Sequence, residues 1–262
     1  MKKIQDFQKM KSDGQKISMV TCYDYVSATI ANHSNVDAVL VGDSAAMVMH
    51  GFDTTINASL DMMAIHVGAV RRGAPDKFLI ADMPFLAHRR GMKLTMEAVD
   101  ALLKAGGEAI KIEGGEGQFD IISHIVESGV PVMGHLGLTP QSIHQLGGYK
   151  VQGRENSKAT SLQNQAKELE RAGIFALVLE LVPSRLAEKI TDTLSVPTIG
   201  IGAGPKTSGQ VLVWQDVLGM NNGFNPKFLR KYLNGYELIA NALNQFDADV
   251  KTQKFPSTEE SF

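Results

Sequence analysis

Short runs rich in aliphatic and β-branched residues, near residues 17–22, 36–42, 77–82, 108–113, 131–135, 175–180, 197–201 and 211–214, alternate with segments of helical period. The helical segments include Ser59 to Arg72, Leu94 to Ala105, Phe119 to Ser128 and Ser161 to Ala172. Such an order predicts a parallel sheet, because parallel neighbours need a crossover connection and a helix supplies it. Seven or eight strand–helix units in 262 residues approach the roughly 250 residues of a closed (β/α)8 barrel. The expected fold is therefore α/β, a TIM barrel in a single domain.

No linker or composition shift divides the chain before about residue 245. The catalytic barrel is accordingly placed at residues 1–246, with a tail at residues 247–262 expected to wrap the surface or be flexible. Just before that tail, Pro226 to Phe246 carries a helical stripe with many aromatics, among them Phe228, Tyr232, Tyr236 and Phe246. It reads either as a last barrel helix on its own sheet or as a subunit contact.

Composition removes several classes of function. The 26 basic residues are balanced by 28 acidic ones, for a net charge of -2, and no basic run exists to neutralise a phosphate backbone, so nucleic acid is not an expected partner. The single Cys22 excludes an internal disulfide and reads as buried packing. The first thirteen residues are polar without a signal-like apolar stretch. Apolar runs such as Val36 to Val41 stop far short of the ~20 residues of a membrane helix. The chain is expected to be cytoplasmic, with no membrane partner.

Chemistry in a parallel barrel sits where strands end. Here the strand-like runs end in polar groups repeatedly: Asp43-Ser44 after the second, Asp82 on the third, Glu113 on the fourth, His135 on the fifth and Glu180 on the sixth. Alternation places Lys111 and Glu113 on one face of their strand and Ile110 and Ile112 on the other. Any single strand-terminal Asp also fits a helix cap, but five successive strands deliver polar groups to one rim. Asp43, Asp82 and Glu113 are hard oxygen donors suited to Mg2+ rather than zinc. A magnesium ion there would act as a Lewis acid on a carbonyl, making enolate chemistry the expected reaction, with Glu180 as general base. Lys111 would neutralise a substrate carboxylate or pair with Glu113. The run Gly200-Ile201-Gly202-Ala203-Gly204-Pro205 lacks the spacing of a dinucleotide fingerprint and reads as a loop where backbone approaches a ligand.

Six ordered stretches make a more specific case: Val20-Thr21-Cys22-Tyr23-Asp24-Tyr25, Val41-Gly42-Asp43-Ser44, Ala81-Asp82-Met83-Pro84-Phe85, Ile110-Lys111-Ile112-Glu113-Gly114-Gly115, Gly134-His135-Leu136-Gly137-Leu138-Thr139-Pro140-Gln141 and Gly200-Ile201-Gly202-Ala203-Gly204. With them the chain resembles the ketopantoate hydroxymethyltransferases over nearly its whole length. The resemblance implies transfer of a hydroxymethyl group from methylenetetrahydrofolate to α-ketoisovalerate, giving ketopantoate in pantothenate biosynthesis through a Mg2+-stabilised enolate. By the same resemblance Asp43 and Asp82 ligate the metal, with Glu113 in its shell directly or through water, Asp43 and Asp82 also border the substrate, Ser44 and Lys111 hold the keto acid, His135 hydrogen-bonds to it and Glu180 is the base. A homo-oligomer, a decamer in the family, is implied too. The sequence departs from the family's usual pattern where Leu86-Ala87-His88 replaces Gly-Ser-Tyr, where Ala46 replaces a Gly and where Ser208 replaces an Asp. Two alternatives stay open: another Mg2+-dependent barrel lyase or aldolase acting on pyruvate-like acids, and a metabolite-binding barrel without catalysis.

Overall fold

The computed structural model describes residues 1–262. Its elements run α1 (Ile4–Ser12), β1 (Ile17–Thr21), α2 (Tyr25–His33), β2 (Ala38–Val41), α3 (Ala45–Val48), α4 (Leu60–Gly73), β3 (Phe78–Asp82), α5 (Met92–Lys104), β4 (Ala109–Glu113) and α6 (Phe119–Glu127). They continue with β5 (Val132–Gly137), α7 (Ile143–Leu146), α8 (Asn156–Arg171), β6 (Ala176–Glu180), α9 (Ser184–Thr193), β7 (Thr198–Ile201), β8 (Gly209–Leu212), α10 (Trp214–Val217) and α11 (Gly235–Lys251). Helix starts follow local chemistry: Asp24 caps α2 by accepting from the Ser27 N–H at 2.9 Å, and Ser59 caps α4 by accepting from the Met62 N–H at 3.2 Å. No helix is long and apolar enough to cross a membrane.

All eight strands pair in parallel, in sequence order, and β8 closes on β1. The expected closed barrel is what forms. Its interior follows the period of two: Met19, Leu40, Phe78, Ile80, Ala109, Met133, Ala176, Val178, Ile199 and Val211 make one buried apolar cluster, which Phe7 and Met10 of α1 join. Phe7, Phe78 and Phe175 stack edge-on or tilted, with centroids 5.2 to 6.4 Å apart, near the amino ends of β3 and β6. Two residues further along the same faces the side chains become polar: Ile80 gives way to Asp82, Ala109 to Lys111 and Glu113, Met133 to His135, Val178 to Glu180. One end of the barrel is thus apolar packing and the other chemistry.

Among the boundaries that differ from the sequence reading, such as α8 starting at Asn156 rather than Ser161, two have a clear local cause. Strand β8 begins at Gly209 rather than Val211, because Gly209 lies between β1 and β7, where a Cβ would strike the Ile17 carbonyl and the Ile199 side chain. The second difference lies within residues 213–262, one of the two compact units into which the chain divides, the other being residues 1–212. There the helix expected from Pro226 begins only at Gly235, because the N–H groups of Tyr232, Gly235 and Tyr236 donate to the carbonyls of Val217, Leu218 and Gly219. Those donors are unavailable for a helical ladder. The helix then runs on to Lys251, into the segment read as tail, supported by the i,i+4 pairs Gln245–Asp249 and Lys251–Asp247.

Candidate active site

Strand register brings the rim residues side by side. Asp82 of β3 is level with Lys111 of β4, Glu113 of β4 with His135 of β5, and Gly137 of β5 with Glu180 of β6. Asp43 follows β2, and its backbone N–H donates to Asp82 Oδ2 at 3.2 Å. Gly137, at φ +97°, has no room for a Cβ beside the Glu180 carbonyl. That close approach lets the Leu138 N–H donate to Glu180 O at 2.8 Å and fixes where β6 presents its carboxylate.

The polar contacts are almost entirely buried. Lys111 Nζ donates to Asp82 Oδ2 at 2.6 Å and lies 3.6 Å from Glu113 Oε1. Its closer partner is therefore Asp82, not the Glu113 that sequence proximity suggested. His135 stands between two carboxylates, Nδ1 at 3.2 Å from Glu113 Oε1 and Nε2 at 3.3 Å from Glu180 Oε2. These are ion-pair separations; neither N–H is aligned for a hydrogen bond. Glu180 has 19% of its side chain exposed, against at most 5% for Asp82, Lys111, Glu113 and His135, so it is the group of this set that meets solvent. Ser44 shares a 2.8 Å hydrogen bond with the Tyr23 hydroxyl.

Electrostatics follow from burying unlike numbers of charges. Burial, then the adjacent Asp82 and Glu113 carboxylates, push the Asp43 carboxyl well above its usual range. Burial also raises Asp82, against the pull of Lys111. For Glu113 the same burial acts upward, but Lys111 and His135 outweigh it and hold the carboxyl below its usual range. Burial works against the Lys111 ammonium, yet Asp82, Glu113 and Asp43 outweigh it and raise its pKa. Burial and Lys111 likewise oppose a charged His135, and Glu113 and Glu180 overcome both, raising it to about 9. Four carboxylates thus face two cationic side chains.

This imbalance is what a divalent cation would correct. Asp43, Asp82 and Glu113 each offer an oxygen within 4.8 Å of the others, all buried; Asp82 Oδ1 has no hydrogen-bond partner, and Glu113 Oε1 has only its ion-pair contacts with Lys111 and His135. A buried carboxylate oxygen without a hydrogen bond is costly unless something positive lies against it. An all-oxygen donor set fits Mg2+.

Two neighbours carried no assigned role in the sequence reading. Gln141 lies within the 3₁₀ turn Pro140–Ser142; its side-chain amide donates to Asp43 Oδ2 at 2.9 Å and to the Met83 carbonyl at 2.8 Å, while its backbone N–H donates to Glu113 Oε2 at 3.0 Å. Tyr149 reaches Met47 Sδ at 3.7 Å, and its phenol is shifted upward by burial first and then by Glu180, Asp43 and Glu113. Gln141 stood inside the quoted run Gly134 to Gln141, but an uncharged side chain gives no titratable signal to mark it. Cys22 is buried with Sγ 3.2 Å from Ser27 Oγ, and burial pushes its thiol up, in keeping with packing.

Residues 1–258 match the family profile described as ketopantoate hydroxymethyltransferase. The chain belongs to that family. Ketopantoate hydroxymethyltransferase relatives named 3-methyl-2-oxobutanoate hydroxymethyltransferase include one from Coxiella burnetii, 60% identical over 255 residues (97% of this chain, 96% of the relative). Another, from Bdellovibrio bacteriovorus, is 55% identical over the full length of both chains. A third, from Legionella pneumophila strain Lens, is 54% identical over 99% of this chain and all of the relative. Family membership makes the chain a hydroxymethyltransferase, a transferase acting on small molecules. Among solved structures, phosphonopyruvate hydrolase in complex with oxalate and Mg2+ is similar with a TM-score of 0.62 at 13% identity, covering 99% of this chain and 93% of that one. 2,3-Dimethylmalate lyase is similar with a TM-score of 0.57 at 15% identity, covering 97% of this chain and 88% of that one. At such identities the likeness is one of fold.

Proposed function

We propose that the protein transfers a hydroxymethyl group from methylenetetrahydrofolate to α-ketoisovalerate, forming ketopantoate in pantothenate biosynthesis. The observation that carries this reading is the buried cluster of Asp43, Asp82 and Glu113, more negative than Lys111 and His135 can balance, with a partly exposed Glu180 beside it. Asp43, Asp82 and Glu113 would hold Mg2+, which when bound supplies Lewis-acid stabilisation for a substrate carbonyl next to a carbon losing its proton.

The chain's own groups supply the rest. Lys111, with one of its three donors on Asp82, and Ser44, anchored on Tyr23, bind the keto acid's carboxylate. His135 lies 3.3 Å from one carboxylate oxygen of Glu180, an electrostatic contact that leaves the other oxygen to remove the proton at C3 of the keto acid. The enolate carbon bonds to the methylene carbon of the folate as one of the two C–N bonds at that carbon breaks, and the C3 proton held by Glu180 passes to the freed nitrogen. Water then gives its hydroxyl to the same carbon as the second C–N bond breaks, its remaining proton going to that second nitrogen, which releases ketopantoate and tetrahydrofolate. A homo-oligomer of the decameric kind belongs to this reading, supported by the exposed Tyr236, Ile239, Leu243 and Phe246 of α11; so does a cytoplasmic setting, supported by the single buried Cys22.

The experiment is deuterium exchange at C3 of α-ketoisovalerate, followed by NMR with and without Mg2+, and then with methylenetetrahydrofolate added. Mg2+-dependent exchange, or exchange once folate is present, together with ketopantoate formation, is the expected result. Absence of both exchange and product with every component present would overturn the reading.

A further inference from the structure

A second pair of metal-competent side chains lies outside the carboxylate cluster. His50 stands in the turn after α3 and His66 on α4, and their Nε2 atoms are 2.8 Å apart. On its other side His66 Nδ1 meets the Tyr23 carbonyl at 2.5 Å. A carbonyl oxygen only accepts, so His66 carries its proton on Nδ1, and the Nε2 of the neutral ring is left as a bare lone pair. The proton between the two rings therefore belongs to His50. The two Nε2 atoms face each other, with ring centroids 5.1 Å apart, and a backbone carbonyl fixing one ring from behind is the outer contact that metal-ligating imidazoles use.

We propose that His50 and His66 form a binding site for a late first-row divalent cation of the Zn2+ class, distinct from the all-oxygen cluster of Asp43, Asp82 and Glu113. Imidazole nitrogen suits such ions and carboxylate oxygen suits Mg2+. On binding, His50 moves its proton from Nε2 to Nδ1 through solvent, so both Nε2 lone pairs face the ion and no net proton is lost. Two nitrogens at the usual Zn–N distance around a tetrahedral ion lie about 3.3 Å apart. His50, exposed and outside any helix, can swing so that its Nε2 turns from the His66 nitrogen towards an ion beside the pair and the two nitrogens open by a fraction of an ångström. Waters complete the coordination on the solvent side.

The site is wired to the substrate rim. The Tyr23 residue whose carbonyl orients His66 also holds Ser44 through its hydroxyl. The segment from Ser44 to His50, which contains α3, is thereby tied to Tyr23 at both ends. An ion bridging His50 and His66 would stiffen that segment.

The test is calorimetric titration of the full-length protein with Zn2+ in excess Mg2+, which keeps the carboxylate cluster filled, alongside long-range 1H–15N spectra of the histidine rings. The expected result is one Zn2+ bound with Nε2 shifts at both rings, and an affinity at least about tenfold weaker in His50→Ala. His66→Ala should do the same, and the exposed His50 variant keeps the test valid if loss of the Tyr23 anchor unfolds the other. Equal Zn2+ affinity in wild type and His50→Ala, or no Zn2+ bound in excess Mg2+, would overturn the proposal.

Discussion

The side-chain amide of Gln141 donates to Asp43 Oδ2 at 2.9 Å, so one oxygen of that buried carboxylate is committed before any cation arrives. The same residue's backbone N–H holds Glu113 Oε2 at 3.0 Å. One glutamine after β5 thus orients two of the three candidate metal ligands, which come from two other strands. Replacing Gln141 by Met keeps the length and removes the side-chain donations to Asp43 and to the Met83 carbonyl while leaving the backbone N–H on Glu113. Outer-shell changes of this kind weaken metal binding by about 10- to 100-fold. Mn2+ titration of Gln141→Met should show a loss in that range. In an Asp43→Asn background the substitution should cost much less, because its effect runs through Asp43. An unchanged affinity in the single variant would remove Gln141 from this role.

Glu180 is separated from the metal cluster by His135 and keeps contact with solvent. Glu180→Gln preserves shape and removes the basic oxygen. Turnover should fall at least about 100-fold, the usual contribution of a general base, while the dissociation constant of α-ketoisovalerate changes little. Near-normal turnover would assign the base elsewhere.

Leu86 occupies the left-handed region at φ 60°, immediately after Phe85. Gly adopts that conformation without a Cβ penalty, whereas other residues pay about 1–2 kcal/mol. Leu86 is 41% exposed and loses little by truncation. Leu86→Gly should therefore stabilise the protein, by about 0.5–1 kcal/mol after allowing for glycine's greater unfolded entropy. Urea unfolding midpoints of the two proteins measure it, and a lower midpoint in the variant would show that the Leu side chain contributes more than its conformation costs.

His88, two residues further on, is buried with Nδ1 lacking a partner. Burial first, then Arg89, lower its pKa to about 4. Because the folded value lies below the ordinary one, the unfolded chain takes up a proton that the folded one refuses. Stability is therefore unaffected above about pH 6.5 and falls as pH drops from there towards 4. Between pH 7 and pH 5 wild type should lose about 2 kcal/mol more than His88→Gln. Parallel acid sensitivity in the two proteins would mean that other groups set it.

Hydropathy period and residue order determined the barrel and the rim. Alternation along each strand carries Ile80 to Asp82, Ala109 to Lys111 and Glu113, Met133 to His135 and Val178 to Glu180, a local regularity that survives folding because a strand's two faces are fixed by backbone geometry. The run of residues did not determine which of those charges meet. Lys111 pairs most closely with Asp82, 29 residues away, rather than with Glu113 two residues along its own strand, because parallel register sets Asp82 level with it. Gln141 reaches Asp43 across 98 residues of chain, and His66 finds Tyr23 and His50 through the packing of α4. Nor could period place the starts of β8 and α11, where Gly209 fits for want of a Cβ and the donors before Gly235 are taken by carbonyls near α10. Periodicity is a property of neighbours in sequence, whereas hydrogen-bond partners and buried charge pairs are chosen by distance in space, and closure of the barrel is what sets those distances.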